Sequence, residues 1–434
     1  MKRLGLILAA LAAAPAPAPA ATIAIIGGTV ATAVGETVIP NGTVIIRDGR
    51  IVAVGAGLAV PAGATIIDAA GKYVTPGVIS AMSNLGIVEV GNVAPSNDSS
   101  ARTTPFSAAI DISPAINRAS TPIAINRLGG VTRAVVGPAV STEIFGGQGA
   151  IISLAAAGDI LLRPRAFQFI ELGETGARVA GGSRPAAWLD LRGALAEAQR
   201  YARNPAAFDS GRDRGSLIKR LDAAALVPLV EGRQPAVIHA ERASDIVAVL
   251  GLRDEFPRVR IILIGAREGW MVADKIAVAK VPVVTLSLFD LPDQFETLAS
   301  TRSNVGRLVA AGVTVALGDF GGDGGAQPRN LPYFAGNAVA EAAVPGSAGL
   351  TRGQALATIT SGPAAIFGMN DTGTLAPGKR GDVVVWDGDP LELASAPVAV
   401  LIDGVPQPMT SRQTELRDRY RDLRRADLPP AYRP

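Results

Sequence analysis

A chain of 434 residues is long enough for one large barrel-type domain or a few ordinary ones, each with a substantial core. Its 41 basic and 38 acidic residues give a formal net charge of +3, which excludes a broad basic face and speaks against a nucleic-acid partner. Cysteine is absent, so disulfides, thiolate metal ligands and a lipid-modified cysteine are excluded, and an exported form has to rely on its core.

The first residues are typical of a secretory signal. Lys2 and Arg3 precede an apolar run over residues 4–14, and small residues suited to cleavage follow up to Ala20. The alternative is an N-terminal membrane anchor, but this run is shorter than the roughly 20 apolar residues that span a bilayer. We therefore expect a signal peptide over residues 1–20, a periplasmic or secreted location, and no membrane contact after the signal is removed.

Both ends of the mature chain contain β-hairpin patterns. Asp48 and Gly49 separate two runs of β-branched residues, which is the turn chemistry of a tight hairpin. The same dipeptide recurs at positions 387–388 and 403–404. These patterns predict that residues 21–76 and 369–410 pair in one small β-sandwich domain built from both chain ends.

The middle of the chain, residues 77–368, alternates short apolar runs with helical segments. Four such units are clear, and their strands read PAVIHA, VRIILIGA, VPVVTLS and VTVALGD. This alternation is typical of a buried parallel sheet, and a (β/α)₈ TIM-type barrel is the closure expected at this size. Earlier strands are expected at TPGVIS, GVTRAVVG and AFQFIEL. Leu191, Leu195 and Ala198 would form the apolar stripe of one wall helix.

The last segment, residues 411–434, alternates in charge and contains few apolar residues. This pattern favours a solvated helix with a loose tail. The alternative is an arm that binds an acidic partner.

The functional side chains of such a barrel lie where its strands end. The residues expected there are Met82, Glu171 or Glu174, His239, Gly265, Ser287 and Asp319. Two further stretches, residues 92–121 and 318–330, are long enough to cover this mouth as a lid or to be disordered.

His239 fits two interpretations. It ends an apolar strand, and Glu241, two residues later, would share its face. It is either a general acid or base whose tautomer is fixed by Glu241 or Asp319, or a vestigial histidine satisfied by a backbone partner. Asp319 is either a second base or the first residue of a glycine-rich turn. Gln148 belongs to a GGQG run expected as a tight turn at a strand start, from which its side chain would face the mouth.

The chain resembles the amidohydrolase superfamily, in the branch similar to imidazolonepropionase and its exported relatives. The resemblance covers nearly the whole mature chain and rests on AAGKYVTPGVISA, GGVTRAVVGPAVSTEIFGGQGAIISL, VIHAERASDIVAVL and the closing ITSGPAAIFGMNDTGTLAPGKRGDVVVWDGDPLE. It implies hydrolysis of carbon–nitrogen bonds other than peptide bonds. It also implies one or two divalent metals, held by a His-x-His after the first strand, histidines after the fifth and sixth, and an aspartate after the eighth.

This chain departs from the metal-binding pattern that the resemblance implies. Met82 and Asn84 stand at the first histidine pair and Gly265 at the sixth strand, whereas His239 is kept and Asp319 lies one place out of register. A catalytic zinc needs about three nitrogen, sulfur or carboxylate ligands, and the chain has one histidine and no cysteine. We therefore expect no cofactor. The remaining possibility is a magnesium or manganese site on carboxylates, and the candidates are Glu171, Glu174, Glu241, Asp319 and Asp323.

Two functions are compatible with these residues. The first is a hydrolase of carbon–nitrogen bonds with a degenerate metal site, in which His239 and Asp319 act on the substrate. Its substrate contacts would come from Asn84, Glu174, Glu241 and Gln148. The second is an inactive relative that binds a small-molecule ligand or serves as partner subunit of an active protein. A homodimer, or pairing with a related subunit, is expected in either case.

Overall fold

The structure is a computed structural model, which describes residues 22–210, 215–318 and 325–421. The expected signal peptide and the last part of the charged tail lie outside these ranges. The described strands are β1 Thr22–Ala31, β2 Val38–Arg47, β3 Arg50–Ala56, β4 Thr65–Asp68, β5 Tyr73–Pro76, β6 Val78–Ser83, β7 Val131–Val136, β8 Phe145–Ser153, β9 Leu161–Glu171, β10 Ala236–Ala240, β11 Ile261–Gly265, β12 Val283–Thr285, β13 Val315–Leu317, β14 Val383–Trp386, β15 Pro397–Ile402 and β16 Val405–Pro406. The described α-helices are α1 Thr121–Leu128, α2 Glu174–Val179, α3 Arg184–Arg203, α4 Pro205–Asp209, α5 Arg220–Val230, α6 Ala243–Glu255, α7 Ala273–Val278, α8 Asn304–Ala310, α9 Leu331–Ala340, α10 Arg352–Thr358, α11 Ser361–Ile366 and α12 Arg412–Arg421.

Both chain ends contribute strands to one β domain. Its sheet runs in the order β16-β15-β14-β5-β1-β2-β3, and β4 pairs with β1. The decisive pairing is between β5 and β14, in which Val74 lies opposite Val385 in an antiparallel register. This arrangement confirms the predicted composite β domain.

Two of the three Asp-Gly signals form tight hairpin turns. Asp48 and Gly49 have φ angles of 50° and 77°, and Asp403 and Gly404 follow the same pattern. Such left-handed pairs match the twist of the strands that they join. The signal at 387–388 does not form a two-residue turn, because the longer segment 387–396 links β14 to β15.

The second sheet, in the order β13 back to β6, forms the predicted barrel. Strands β9 to β13 are parallel neighbours, and β6 pairs with β7 in the same sense. The exception is β8, which is antiparallel to both β7 and β9. The barrel is therefore confirmed as an architecture, but three consecutive strands form a meander instead of helix-linked parallel units.

The GGQG run lies inside β8, so the expectation of a tight turn there is wrong. A side chain at Gly149 would place its Cβ 2.0 Å from the ring of Phe167 on the neighbouring strand. Gly147 has a φ of 114° and approaches the carbonyl oxygen of Ile110. The glycines thus let an aromatic ring and a loop approach the strand closely.

The barrel interior is a sealed apolar core below its C-terminal end. Inward residues mostly alternate along the strands, as the strand period requires, and β6, whose pairing has register shifts, contributes both Ala81 and Met82. The inward set includes Ile79, Met82, Phe167, Phe169, Val237, Ile264 and Val284. On the outer side, the predicted stripe of α3 is confirmed, since Leu191, Leu195 and Ala198 are fully buried.

A buried ion group joins the barrel to the β domain. The guanidinium of Arg133 on β7 donates to both oxygens of Asp382, over 2.6 Å and 3.1 Å, and to Asp403 over 2.8 Å. Only 2% of the Arg133 side chain is exposed. The two domains therefore share one charged contact that is shielded from water.

The segment 92–121 is ordered and fastened to the barrel wall. The backbone N–H groups of Ser107 and Ala109 both donate to Asp222 at the start of α5, over 3.0 Å and 2.8 Å. At the chain end, α12 buries none of its residues, as expected for a solvated helix. Within the described ranges, we find no helix with the length and apolar character needed to traverse a bilayer.

Candidate functional site

The strand ends of the barrel bring His239 between two carboxylates. Parallel pairing of β9 and β10 places Glu171 directly beside His239, and Glu241 follows on the same face. The imidazole Nδ1 lies 2.7 Å from Glu171 Oε1, and Nε2 lies 3.1 Å from Glu241 Oε1. All three side chains are largely shielded, with 24% of His239 and less than a tenth of each glutamate exposed.

Each of the two carboxylates also accepts a hydrogen bond from a backbone N–H. The N–H of Gly173 donates to Glu171 over 2.8 Å, and the N–H of Arg267 donates to the second oxygen of Glu241 over 2.8 Å. Burial raises the pKa of Glu241, but the hydrogen bond and charge of His239 and the Arg267 N–H bring it below its ordinary value. Glu241 is therefore an ionised acceptor with a fixed orientation.

The surroundings of His239 favour the protonated ring. Burial by itself lowers the pKa of the imidazole, but the charges and hydrogen bonds of Glu171 and Glu241 outweigh it and hold the pKa well above its usual range. Because each ring nitrogen faces an acceptor, both must donate. The interpretation with a backbone partner is therefore wrong, since the partners are side-chain carboxylates. An imidazolium also has no lone pair with which to take a proton or to bind a metal.

A second group of charges surrounds the triad of His239, Glu171 and Glu241. Glu296, from the loop after β12, accepts from the N–H of Glu174 over 2.7 Å and from Arg184 over 2.8 Å. Arg184 also donates to Asp245 over 2.7 Å. Burial raises the pKa of Glu296 and the nearby Glu171 adds to the effect, against the lowering effect of protonated His239. Glutamates thus crowd around one histidine, and arginines balance their charge.

Arg267 connects the triad to the loop after β12. Its side chain lies over the ring of Phe289, with the guanidinium carbon 3.5 Å from the ring centroid, and it pairs with Asp293. Its Nε is 3.5 Å from Glu241. Cation–π contact and ion pairing together hold this loop against the barrel mouth.

Of the other predicted residues, some lie near the mouth and others do not. Asn84 is near the mouth, and its N–H donates to the carbonyl of Gly325, while its buried side-chain oxygen has no partner within the described ranges. Glu174 contacts Glu296 through its backbone. Gln148 does not join the triad, because it lies along β8 and accepts from Gln234 over 3.2 Å. Asp319 lies outside the described residues.

Sequence reasoning missed Arg267, Glu296 and Arg184 as parts of this site, and it named Glu171 as a residue of the mouth and a candidate metal carboxylate but not as a partner of His239. A signal existed for Glu171, because it ends a strand as His239 does. The other three lie in loops or at a helix start, and their sequence contexts contain no motif that points to the mouth.

A zinc ion is the group that the resemblance implies, so its fit can be tested on the donors present. Met82 is fully buried in the apolar interior and offers no nitrogen. Gly265 offers no side chain, and both nitrogens of His239 are occupied by carboxylates. Among the described residues, no cluster of three or more His, Cys, Asp or Glu side chains is arranged to hold a metal. The described donors do not fit a three-ligand zinc site.

Comparisons with known proteins agree on one family. The family model described as "Amidohydrolase family" matches residues 212–407. The amidohydrolase tasK of Hapsidospora irregularis is 26% identical over 385 residues, which is 80% of this chain but 38% of the relative. The chain therefore spans well under half the length of that curated relative.

Solved structures extend the likeness to the whole fold. An amidohydrolase from Thermotoga maritima matches with a TM-score of 0.77 and 25% identity, covering 88% of this chain and 99% of the other. A zinc-bound adenosine deaminase from Xanthomonas campestris shares the fold, with a TM-score of 0.52 and 17% identity over 89% and 92% of the two chains. The barrel, the composite β domain and these matches together support a place for the chain in the amidohydrolase superfamily.

Proposed function

We propose that this chain is a superfamily member that binds a small ligand at the barrel mouth and does not carry out metal-dependent hydrolysis. The observation that carries the proposal is that its one histidine has both ring nitrogens committed to Glu171 and Glu241. Zinc enzymes of the hydrolytic kind lower the pKa of a bound water towards about 7. The residues described at this mouth lack the donor set for that chemistry.

Unsatisfied polar atoms near the mouth support ligand binding. The side-chain oxygens of Asn84, just after β6, and of Thr285, at the end of β12, are buried and have no hydrogen-bond partner among the described residues. Buried polar atoms are nearly always paired in folded proteins. A ligand with N–H or O–H donors would supply the partner that Asn84 lacks.

Hydrolysis of carbon–nitrogen bonds other than peptide bonds is the second candidate, and membership of the superfamily favours it. A protonated His239 could donate its proton to a leaving nitrogen. Acid–base catalysis alone contributes about 10²- to 10⁴-fold, so such an enzyme would be slow. Under this second candidate, we propose that the metal site is degenerate and that the chain is similar to exported relatives of imidazolonepropionase.

The metal content of the purified full chain separates the two candidates. We expect less than about 0.1 metal ion per chain by elemental analysis, a folded protein after chelation, and no turnover of N-acyl amino acids, ureides or cyclic amides. Stoichiometric metal that is lost in H239Q would overturn the first candidate. Turnover that is present in the wild type and lost in H239Q would establish the second.

We also propose a periplasmic or secreted location and assembly as a homodimer or with a related subunit. The location is supported by the sequence pattern of residues 1–20. Light scattering of the purified chain, alone and mixed with an active relative from the same cell, would measure the assembly. Export of a reporter fused after Ala20 would measure the location.

A further inference from the structure

Gly265, the last residue of β11, has no room for a side chain. A Cβ built on it would lie 2.8 Å from the carboxyl carbon of Glu241, and its φ of 89° is a conformation that other residues rarely adopt. Glu241 directly follows the last residue of β10, Ala240, which pairs with Gly265 on the neighbouring strand. The volume that a side chain at 265 would use is therefore filled by a carboxylate from the adjacent strand end.

That carboxylate is not free to swing away. One oxygen faces the imidazole Nε2 of His239 at 3.1 Å, and the other accepts the N–H of Arg267 at 2.8 Å. Arg267 is itself held by Phe289 and Asp293. A side chain introduced at 265 would have to displace an anion that is bonded on both sides.

We propose that Glu241 and Gly265 form a coupled pair, in which the Glu241 carboxylate takes the volume of a side chain at position 265 and holds the His239 ring in place through its charged contact with Nε2. Glu241 is thus a positioning residue. The pairing of Glu241 with Gly265 does not depend on hydrolysis of a substrate, because it concerns packing and charge within the protein itself.

A double-mutant cycle tests the steric half of this proposal. We expect G265A to lower the Tm clearly more than G312A does, because Gly312 has nearly the same φ, 86°, but nothing within 4 Å of its Cβ. In the E241A background the extra loss at 265 should disappear, while the loss from G312A should stay the same. Equal losses for G265A and G312A, or the same extra loss with and without Glu241, would overturn the coupling.

The charge half is tested on the His239 ring itself, which gives a single set of imidazole signals because the chain has one histidine. E241Q keeps the volume of the side chain but removes its charge, so the midpoint of the ring ¹⁵N titration should move to lower pH. E241D should restore most of the shift. An unchanged midpoint in E241Q would show that Glu241 only fills space. This readout needs neither metal nor substrate, so its failure is distinguishable from failure of the proposed function.

Discussion

At the scale of single residues, the charge of His239 follows from its two partners and not from its exposure. A histidine in an apolar pocket is normally neutral, because burial disfavours the charged ring. Here two carboxylates, each within 3.1 Å of a ring nitrogen, reverse that preference. The ionic triad is therefore stable as a unit, and removal of one member leaves a buried charge behind.

The pH dependence of stability should report this triad. The folded pKa of His239 lies above its unfolded value of about 6.5. Its contribution to stability is therefore complete below about pH 6.5 and is lost as the pH rises through the folded pKa. Urea unfolding of the wild type between pH 6 and 9 should show this decline, and H239Q should lack it. Parallel pH profiles for the two proteins would contradict the assignment of charge.

At the scale of elements, the glycines of β8 are explained by a close contact with the neighbouring strand. The ring of Phe167 on β9 lies against the Cα of Gly149, so the glycine run of this strand serves packing. Sequence reasoning interpreted these glycines as a turn, because glycine marks turns and close contacts alike. The antiparallel course of β8 escaped prediction for the same reason.

G149A should therefore destabilise the barrel wall. A Cβ at this position overlaps the Phe167 ring at 2.0 Å, so the ring or the strand has to move, and overpacking of this kind costs about 1 to 3 kcal/mol. The matched control is G55A on β3, where the nearest atom is an ordinary 3.6 Å from the Cβ. Urea unfolding would compare the two. A cost for G149A no greater than that for G55A would show that Phe167 relaxes freely.

The buried carboxylate of Glu296 helps to hold the loop after β12 at the mouth, beside the contacts of Arg267 with Phe289 and Asp293. Glu296 is 1% exposed and accepts from both Arg184 and the N–H of Glu174. E296Q removes the charge that Arg184 binds, so residues 288–303 should exchange their amide hydrogens faster. D293N is the matched control, since Asp293 is half exposed and its loss should have a smaller effect. Unchanged exchange in E296Q would mean that Arg267 and Phe289 suffice to hold the loop.

At the scale of the whole molecule, the sequence predicted the architecture better than the site. Apolar runs dictate β10 to β13, and Asp-Gly turns dictate two hairpins, because both signals are local. One contact of the triad is local in sequence, since Glu241 lies two residues from His239 on the same face. The other comes from Glu171 on the neighbouring strand. Glu296 and Arg267 reach it through loops whose course depends on tertiary packing, and no pattern in a single sequence specifies that course.

The Arg133 group makes the two domains depend on each other. Its guanidinium is almost completely shielded and bonded to Asp382 and Asp403 across the domain boundary. Removal of one partner from a buried ion pair leaves an uncompensated charge and costs about 3 to 5 kcal/mol. Because Asp403 still faces Arg133 in D382N, we expect the free energy of unfolding to fall by an amount at the lower end of this range, about 3 kcal/mol.

An exposed ion pair provides the matched control for D382N. Arg192 and Glu255 lie 2.7 Å apart, yet about half of each side chain is exposed, so E255Q should cost no more than about 1 kcal/mol. Replacing both Arg133 and Asp382 by apolar residues should cost less than D382N alone, because no charge stays buried. Guanidinium unfolding would measure all three. If D382N and E255Q cost the same, the domain boundary admits water and the two domains are held by their apolar contacts.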